Sequence, residues 1–262
     1  MRWISTELYV FHHKTIASQR LEGCGSWLLD DKVYKQWKYT SRHPFLWLKG
    51  DVGTGKTQLT SMVIDDLGTE LSRFDEPPPV AYFYCSRDSS EPRRADNSEV
   101  LLSILKQLAC NDGADRPIIP HILSKWQQRL NMSSDHRLGE DECTDIIIEI
   151  CSDRGAYIVI DALDECPKDS RQDLLEGLNK ICQASTSLVR IFISSRPIKD
   201  VRLWFHKTPY LEVLKTPHLE ALKTPHLEVL VKPNSADIET YSLSRITLYG
   251  KRNLIMHSQP RT

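Results

Sequence analysis

The sequence predicts an α/β fold, a mainly parallel sheet held between two helical layers, and three stretches carry that prediction. Each is an apolar run that stops abruptly at polar residues. Phe45-Leu46-Trp47-Leu48 leads into Gly50-Asp51-Val52-Gly53-Thr54-Gly55-Lys56-Thr57, Tyr157-Ile158-Val159-Ile160 ends at Asp161, and Val189-Arg190-Ile191-Phe192-Ile193 ends at Ser194-Ser195-Arg196-Pro197. Runs this short and this apolar read as strands buried on both faces, which is the habit of a parallel sheet. Helical patterns lie between them, as crossover connections require.

Taken in chain order, the first strand and its loop form a complete G-x-x-x-x-G-K-[ST] pattern followed by a helix beginning Gln58-Leu59-Thr60-Ser61-Met62-Val63-Ile64. Strand, loop and helix together are the context that pattern needs. Glycines at 50, 53 and 55 let backbone N–H groups turn inward around phosphate oxygens at the positive end of a helix. Lys56 reaches the β- and γ-phosphates, and Thr57 offers its hydroxyl to Mg²⁺. The bland alternative is a glycine-rich loop without a ligand.

After a Pro77-Pro78-Pro79 break, Val80-Ala81-Tyr82-Phe83-Tyr84-Cys85 reads as a second strand. Ser98 to Cys110 reads as an amphipathic helix, with Val100, Leu101, Ile104, Leu105 and Leu108 on one face. Cys143 to Cys151 is ambiguous by periodicity, and is assigned to helix because a strand already follows at 156. Asp161 closes that strand, where ligands collect in open α/β sheets, and its carboxylate is placed to hold the Mg²⁺ that Thr57 also touches. Asp164 and Glu165 follow on the loop, within reach of an attacking water; the bland reading is a solvated acidic turn. Asp169 to Cys182 reads as a helix burying Leu174, Leu175, Leu178 and Ile181, with Asp169 and Gln172 as a capping box. Arg196, at the end of the next strand, is placed to contact a γ-phosphate, against the alternative of a plain surface arginine.

Composition sets the outer limits. The 262 residues are 40% hydrophobic and 26% charged with a formal net charge of −1, which gives no electrostatic reason to invoke nucleic acid or an anionic membrane. Cys24, Cys85, Cys110, Cys143, Cys151, Cys166 and Cys182 are scattered without a C-x-x-C pair, which suits reduced thiols better than a disulfide framework or zinc site. No run approaches a membrane span, and the N-terminus lacks a signal-peptide core, so the expected location is cytoplasmic.

With these residues in view, the chain resembles the NACHT family of STAND-class P-loop NTPases, in particular the fungal type whose domain is described as nephrocystin-3-like N-terminal. Asp161-Ala162-Leu163-Asp164-Glu165 matches the family's Walker B motif, an aspartate set off from two further acids. Ile193-Ser194-Ser195-Arg196-Pro197 is similar to its sensor-1 strand, Ala81-Tyr82-Phe83-Tyr84-Cys85-Ser86 to its second strand, and Gly23-Cys24-Gly25-Ser26-Trp27-Leu28-Leu29 to its helical lead-in. The similarity covers about residues 12 to 200, with a fainter match at Asn234–Tyr241. Val52 stands where many relatives have proline, and Cys24 where threonine is common. The resemblance implies a P-loop NTPase three-layer α/β/α sandwich with a helical lead-in (1–44), a core (45–200) and an irregular C-terminal segment (201–262). It also implies slow hydrolysis of ATP or GTP with Mg²⁺ within a signalling-switch family, self-association, and association with longer NACHT relatives. Relatives continue into a winged-helix domain and sensor repeats. The expectation here, with the sequence stopping at Thr262 and starting close to the domain, is a nucleotide-binding core without them.

Residues 207–230 are three tandem octads, KTPYLEVL, KTPHLEAL and KTPHLEVL. Units this short are local duplications rather than a solenoid, and Pro209, Pro217 and Pro225 exclude one continuous helix. One copy is expected to supply a strand and two to form a looped insertion; the alternative is a partner-binding repeat presenting His218 and His226. The tail beyond Tyr241 is mildly basic and unpatterned. Two other functions stand beside the NTPase reading. A small-molecule kinase would use Arg93-Arg94 as a lid, which Asp164-Glu165 argues against, and a non-catalytic remnant would bind nucleotide weakly.

Overall fold

The computed structural model describes residues 5, 7–21, 23–40, 43–109, 124, 138–207 and 226–231, the side chains of Lys207 and His226 excepted. Among the described residues five strands form one sheet: β1 (Phe45–Lys49), β2 (Val80–Tyr84), β3 (Ala156–Asp161), β4 (Val189–Ser195) and β5 (His226–Leu230). They lie in the spatial order β2-β3-β4-β1-β5, and every pairing is parallel. The order places β4 between the loop-bearing strand β1 and the strand that ends in Asp161.

Alternation along the strands creates the layers. Phe45, Trp47, Ile158, Ile160, Ile191 and Ile193 enter one apolar core, while Leu46, Leu48, Val159 and Phe192 enter the other. With both faces covered, the central strands are apolar at most positions, Arg190 of β4 being a charged exception, which is why they read as apolar runs. The first core is closed by α5 (Asn97–Ala109), α6 (Glu140–Arg154), α7 (Lys168–Ala184) and α8 (Lys199–Lys207). Phe205 of α8 stacks on Trp47 with ring centroids 4.7 Å apart. The second core is closed by α4 (Lys56–Leu71) and by α2 (Trp27–Asp30) and α3 (Lys32–Lys35), which continues into a π-helical turn, Gln36–Thr40. The predicted three-layer α/β/α architecture is therefore the observed one.

The lead-in is bound to this core by its own hydrogen bonds. Trp37 is fully buried and donates Nε1–H to the Pro44 carbonyl at 3.0 Å. Arg190, the one charged residue of β4, donates Nε–H to the Trp37 carbonyl at 2.6 Å. The first helix, α1 (Tyr9–Ser18), is held at His13, whose ring contacts Tyr84 Oη at 2.8 Å and Asp65 Oδ1 at 2.9 Å. Arg20 pairs with the same Asp65. Hydrogen bonds from His13 and Arg20 outweigh the upward push of burial and hold the Asp65 carboxyl below its ordinary value.

Two sequence expectations need correction. The capping box at Asp169 and Gln172 is absent: α7 starts at Lys168 with Pro167 at its N-cap and no side-chain cap bond. Proline fixes φ for the helix start, which leaves Asp169 in the first turn, favourable to the dipole. The core also reaches past residue 200, since α8 and β5 both pack into it. Of the octads, the third supplies β5. Leu227 and Val229 join the second core, and Glu228 pairs with Lys49 of β1. Residues 208–225, with His218 and most of the first two copies, lie outside the described residues, as do Cys110, Asn234–Tyr241 and the basic tail.

Candidate nucleotide site

The glycine-rich loop leaves β1 and enters α4 with Gly53 and Gly55 at φ 77° and 82°, a region that costs any other L-residue about 1–2 kcal/mol. Gly50 meets a different demand: a Cβ there would stand 2.8 Å from Thr54 Oγ1 and 3.0 Å from the Val231 carbonyl oxygen. Inside the loop, Thr54 Oγ1 donates to the Asp51 carbonyl at 2.8 Å. Lys56 Nζ donates to the carbonyls of Gly50 and Asp51, both at 2.8 Å. The ammonium is thereby held at the mouth of its own loop. Burial pulls Lys56 below the usual lysine value, and Asp164 and Asp161 offset that only in part.

Asp161 closes β3 with 2% of its surface exposed. Thr57 Oγ1 donates to its Oδ2 at 2.7 Å, and Thr60 Oγ1 and Ser194 Oγ donate to its Oδ1 at 2.8 and 2.5 Å. Burial pushes this carboxyl above its ordinary range, against the opposing pull of Ser194, Thr57, Thr60 and Lys56. Ser194 also accepts the Ala162 N–H at 2.9 Å, so one hydroxyl of β4 ties Asp161 to the residue after it. Ala162 has φ 52°, the left-handed conformation that swings the chain out of the sheet into the acidic turn.

That turn, Leu163–Glu165, is 3₁₀-helical. Asp164 is 3% exposed and accepts from Arg196 twice, from the backbone N–H at 2.9 Å and from the guanidinium. Arg196 Nη2 lies 3.3 Å from Glu165 Oε1. The pairing with Asp164, reinforced by Glu165, holds the guanidinium above its ordinary value. Of the two acids Asp164 is enclosed, while the Glu165 side chain keeps 32% of its exposure.

The fold thus gathers Gly50, Gly53, Thr54, Gly55, Lys56, Thr57, Asp161, Asp164, Glu165 and Arg196 at the C-terminal ends of β1, β3 and β4, the edge where open α/β sheets bind ligands. Four participants were not assigned to the site from the sequence: Thr60, Arg87 and Arg171, and Ser194, which stood there only as part of the polar end of its strand. Thr60 is one helical turn beyond Thr57, and that spacing was the only trace. Arg87 donates to the carbonyls of Asp164 and Glu165, both at 2.8 Å, and Arg171 donates to the Asp164 carbonyl at 3.0 Å.

Among the described residues no group of three or more His, Cys, Asp or Glu side chains is arranged to hold a metal ion. The donor set suits Mg²⁺ in another way. Thr57 donates its O–H in a hydrogen bond to Asp161, which leaves its oxygen lone pairs available to a hard cation, and Mg²⁺ is characteristically held by one or two protein oxygens together with substrate phosphates.

A wholly parallel sheet, a glycine-rich loop ending in Lys56-Thr57 and a strand-end aspartate bonded to that threonine define a P-loop NTPase fold. The nephrocystin 3 N-terminal family model matches residues 23–196, well over half of the chain, and the chain belongs to that family, a NACHT-type P-loop domain. The vegetative incompatibility protein HET-E-1 of Podospora anserina is 28% identical over 178 residues, covering 67% of this chain and 12% of that protein. The chain therefore corresponds to a small fraction of that relative's length. Among solved structures, the Aeropyrum pernix ORC1 protein in complex with DNA aligns with a TM-score of 0.45 at 20% identity, over 90% of this chain and 50% of that one. A Walker-type ATPase of Pyrococcus abyssi aligns with a TM-score of 0.42 at 14% identity, over 86% and 57%.

No helix among the described residues is long and apolar enough to cross a membrane.

Proposed function

We propose that this domain binds a Mg²⁺-nucleoside triphosphate, ATP or GTP, and hydrolyses it slowly. The observation that carries the proposal is the 2.7 Å hydrogen bond from Thr57 to Asp161, with Lys56 one residue before Thr57 at the loop mouth. In this reading the loop amides of Gly50, Gly53, Thr54 and Gly55 cradle the phosphates, and Lys56 moves from its own carbonyls onto phosphate oxygens. Thr57 and Asp161 hold the Mg²⁺, which screens the phosphate charge.

Glu165 is the better supported group for orienting water, because its side chain is 32% exposed while that of Asp164 is enclosed and holds the Arg196 backbone N–H. Water adds to the γ-phosphorus as the bond to the β–γ bridging oxygen breaks, giving nucleoside diphosphate and inorganic phosphate, with Glu165 receiving the water proton. Arg196 senses the γ-phosphate by transferring from Asp164 to it. The free thiols of Cys85, Cys151, Cys166 and Cys182 favour a reducing, cytoplasmic setting. Self-association, association with longer relatives and a part in incompatibility-type signalling are proposals for the longer proteins in which such a domain works.

Single-turnover phosphate release tests the hydrolytic step. Wild type releases phosphate from Mg-ATP or Mg-GTP, and Glu165→Gln slows release about 100-fold or more while retaining nucleotide. Release by Glu165→Gln at the wild-type rate contradicts the assignment.

A further inference from the structure

The acidic turn leaves a backbone problem that its own residues do not solve. Its internal bonds are Glu165 N–H to the Ala162 carbonyl at 2.8 Å and Cys166 N–H to the Leu163 carbonyl at 3.1 Å. The carbonyls of Asp164, Glu165 and Cys166 accept from side chains outside the turn, as the last carbonyls of a helix must. Two arginines from different layers meet them. Arg171, on α7 and 4% exposed, donates Nη1–H to the Asp164 carbonyl at 3.0 Å, and its Nε lies 2.9 Å from Asp200 Oδ2. Arg87 comes from the loop after β2; it donates Nε–H to the Glu165 carbonyl at 2.8 Å and Nη2–H to the Asp164 carbonyl at 2.8 Å, with the Cys166 carbonyl 3.5 Å away.

We propose that Arg87 is a positioning residue for hydrolysis, which grips the backbone of the Asp164–Cys166 turn and so fixes where the Glu165 carboxylate stands. The proposal rests on the hydrolytic reading above. Its contact with the Glu165 carboxylate is 3.9 Å, longer than either backbone bond, so Arg87 holds the main chain more closely than it screens the acid. The guanidinium fork serves two adjacent carbonyls at once, a geometry lysine cannot reproduce. Arg171 is enclosed, so its loss would disturb packing, whereas the Arg87 side chain is 55% exposed and its loss leaves the core intact. The residue before the turn, Ala162, is in the left-handed region, so the turn is entered under strain and needs outside support to keep one conformation. A displacement of Glu165 by a fraction of an ångström leaves the phosphate-binding loop untouched and misaligns the water.

The test uses the full chain as wild type, Arg87→Ala and Arg87→Lys, with Mg-ATP and Mg-GTP. Nucleotide affinity and melting temperature are measured beside single-turnover phosphate release, with and without millimolar guanidinium ion. Arg87→Ala is expected to bind nucleotide within about threefold of wild type and to release phosphate about 10–100-fold more slowly. Arg87→Lys regains only part of the rate, and added guanidinium accelerates Arg87→Ala but not wild type. Wild-type release by Arg87→Ala overturns the proposal. So does a parallel fall in melting temperature and affinity without rescue, which marks an anchor of the fold alone. A wild type that releases no phosphate overturns the hydrolytic reading, and the proposal with it, before Arg87 is changed.

Discussion

Asp164 accepts two hydrogen bonds from Arg196, one from its backbone N–H at 2.9 Å and one from its guanidinium. The aspartate is 4% exposed at its side chain and the arginine 36%, so the charge that suffers from losing its partner is the acid. Breaking a buried pair costs about 3–5 kcal/mol, and the exposure of Arg196 reduces this to about 1–2 kcal/mol. Arg196→Ala is expected to lower unfolding free energy by that amount in urea, and Asp164→Asn in the Arg196→Ala background recovers part of it. Unchanged stability in Arg196→Ala contradicts the pairing.

The Ser194 hydroxyl serves both Asp161 and the Ala162 N–H, so Ser194→Ala leaves a buried acceptor weakened and a donor unpaired. The expected loss is about 1–3 kcal/mol at neutral pH. Its pH dependence has a definite sign. Burial already raises the Asp161 carboxyl in the folded state, and removing a hydroxyl that favours the charged form raises it further. A folded value above the unfolded one means the folded state binds the proton more tightly, so stability falls as pH rises between the two values. The stability gap between wild type and Ser194→Ala therefore narrows as pH is lowered from neutral toward the carboxylate range. Urea unfolding at a series of pH values reads this directly, and a gap that widens on acidification contradicts it.

The octads make a prediction about length. Leu227, Glu228 and Val229 of the third copy bind the sheet, and the first copy carries the same three residues as Leu211-Glu212-Val213. Deleting 215–230 joins Leu214 to Val231 and leaves two residues, Thr208-Pro209, between α8 and the strand, a sufficient connection for this type of crossover. The shortened chain is expected to unfold cooperatively with a melting temperature within about 5 °C of wild type, equivalent to about 1–2 kcal/mol. Loss of the cooperative transition contradicts the interchange of copies.

What the sequence disclosed followed from how local each signal was. The loop from Gly50 to Thr57 is contiguous, so its place between β1 and α4 was readable from one stretch. Asp161 was readable because a strand buried on both faces has no reason to carry an acid except at its end. The placement of β4 between β1 and β3 was not readable, because parallel strand order is decided by crossovers and leaves no mark on the strands. Thr57 and Asp161 are 104 positions apart, and Arg87 and Glu165 are 78 apart. The first pair belonged to a pattern and was found; the second belonged to none. The α7 cap failed for a local reason, since Pro167 starts the helix before Asp169 is reached.

Titration of the full chain with ATP and GTP in the presence of Mg²⁺, wild type beside Lys56→Ala, tests whether the loop binds nucleotide through Lys56. Lys56 now spends its ammonium on the carbonyls of Gly50 and Asp51, and its transfer to phosphate is the largest electrostatic gain available to the loop. Saturable binding by wild type, weakened about 30-fold or more in Lys56→Ala at unchanged melting temperature, is the predicted result. Absence of binding by wild type at millimolar nucleotide, or equal affinity in the two proteins, rules out a nucleotide site built on Lys56.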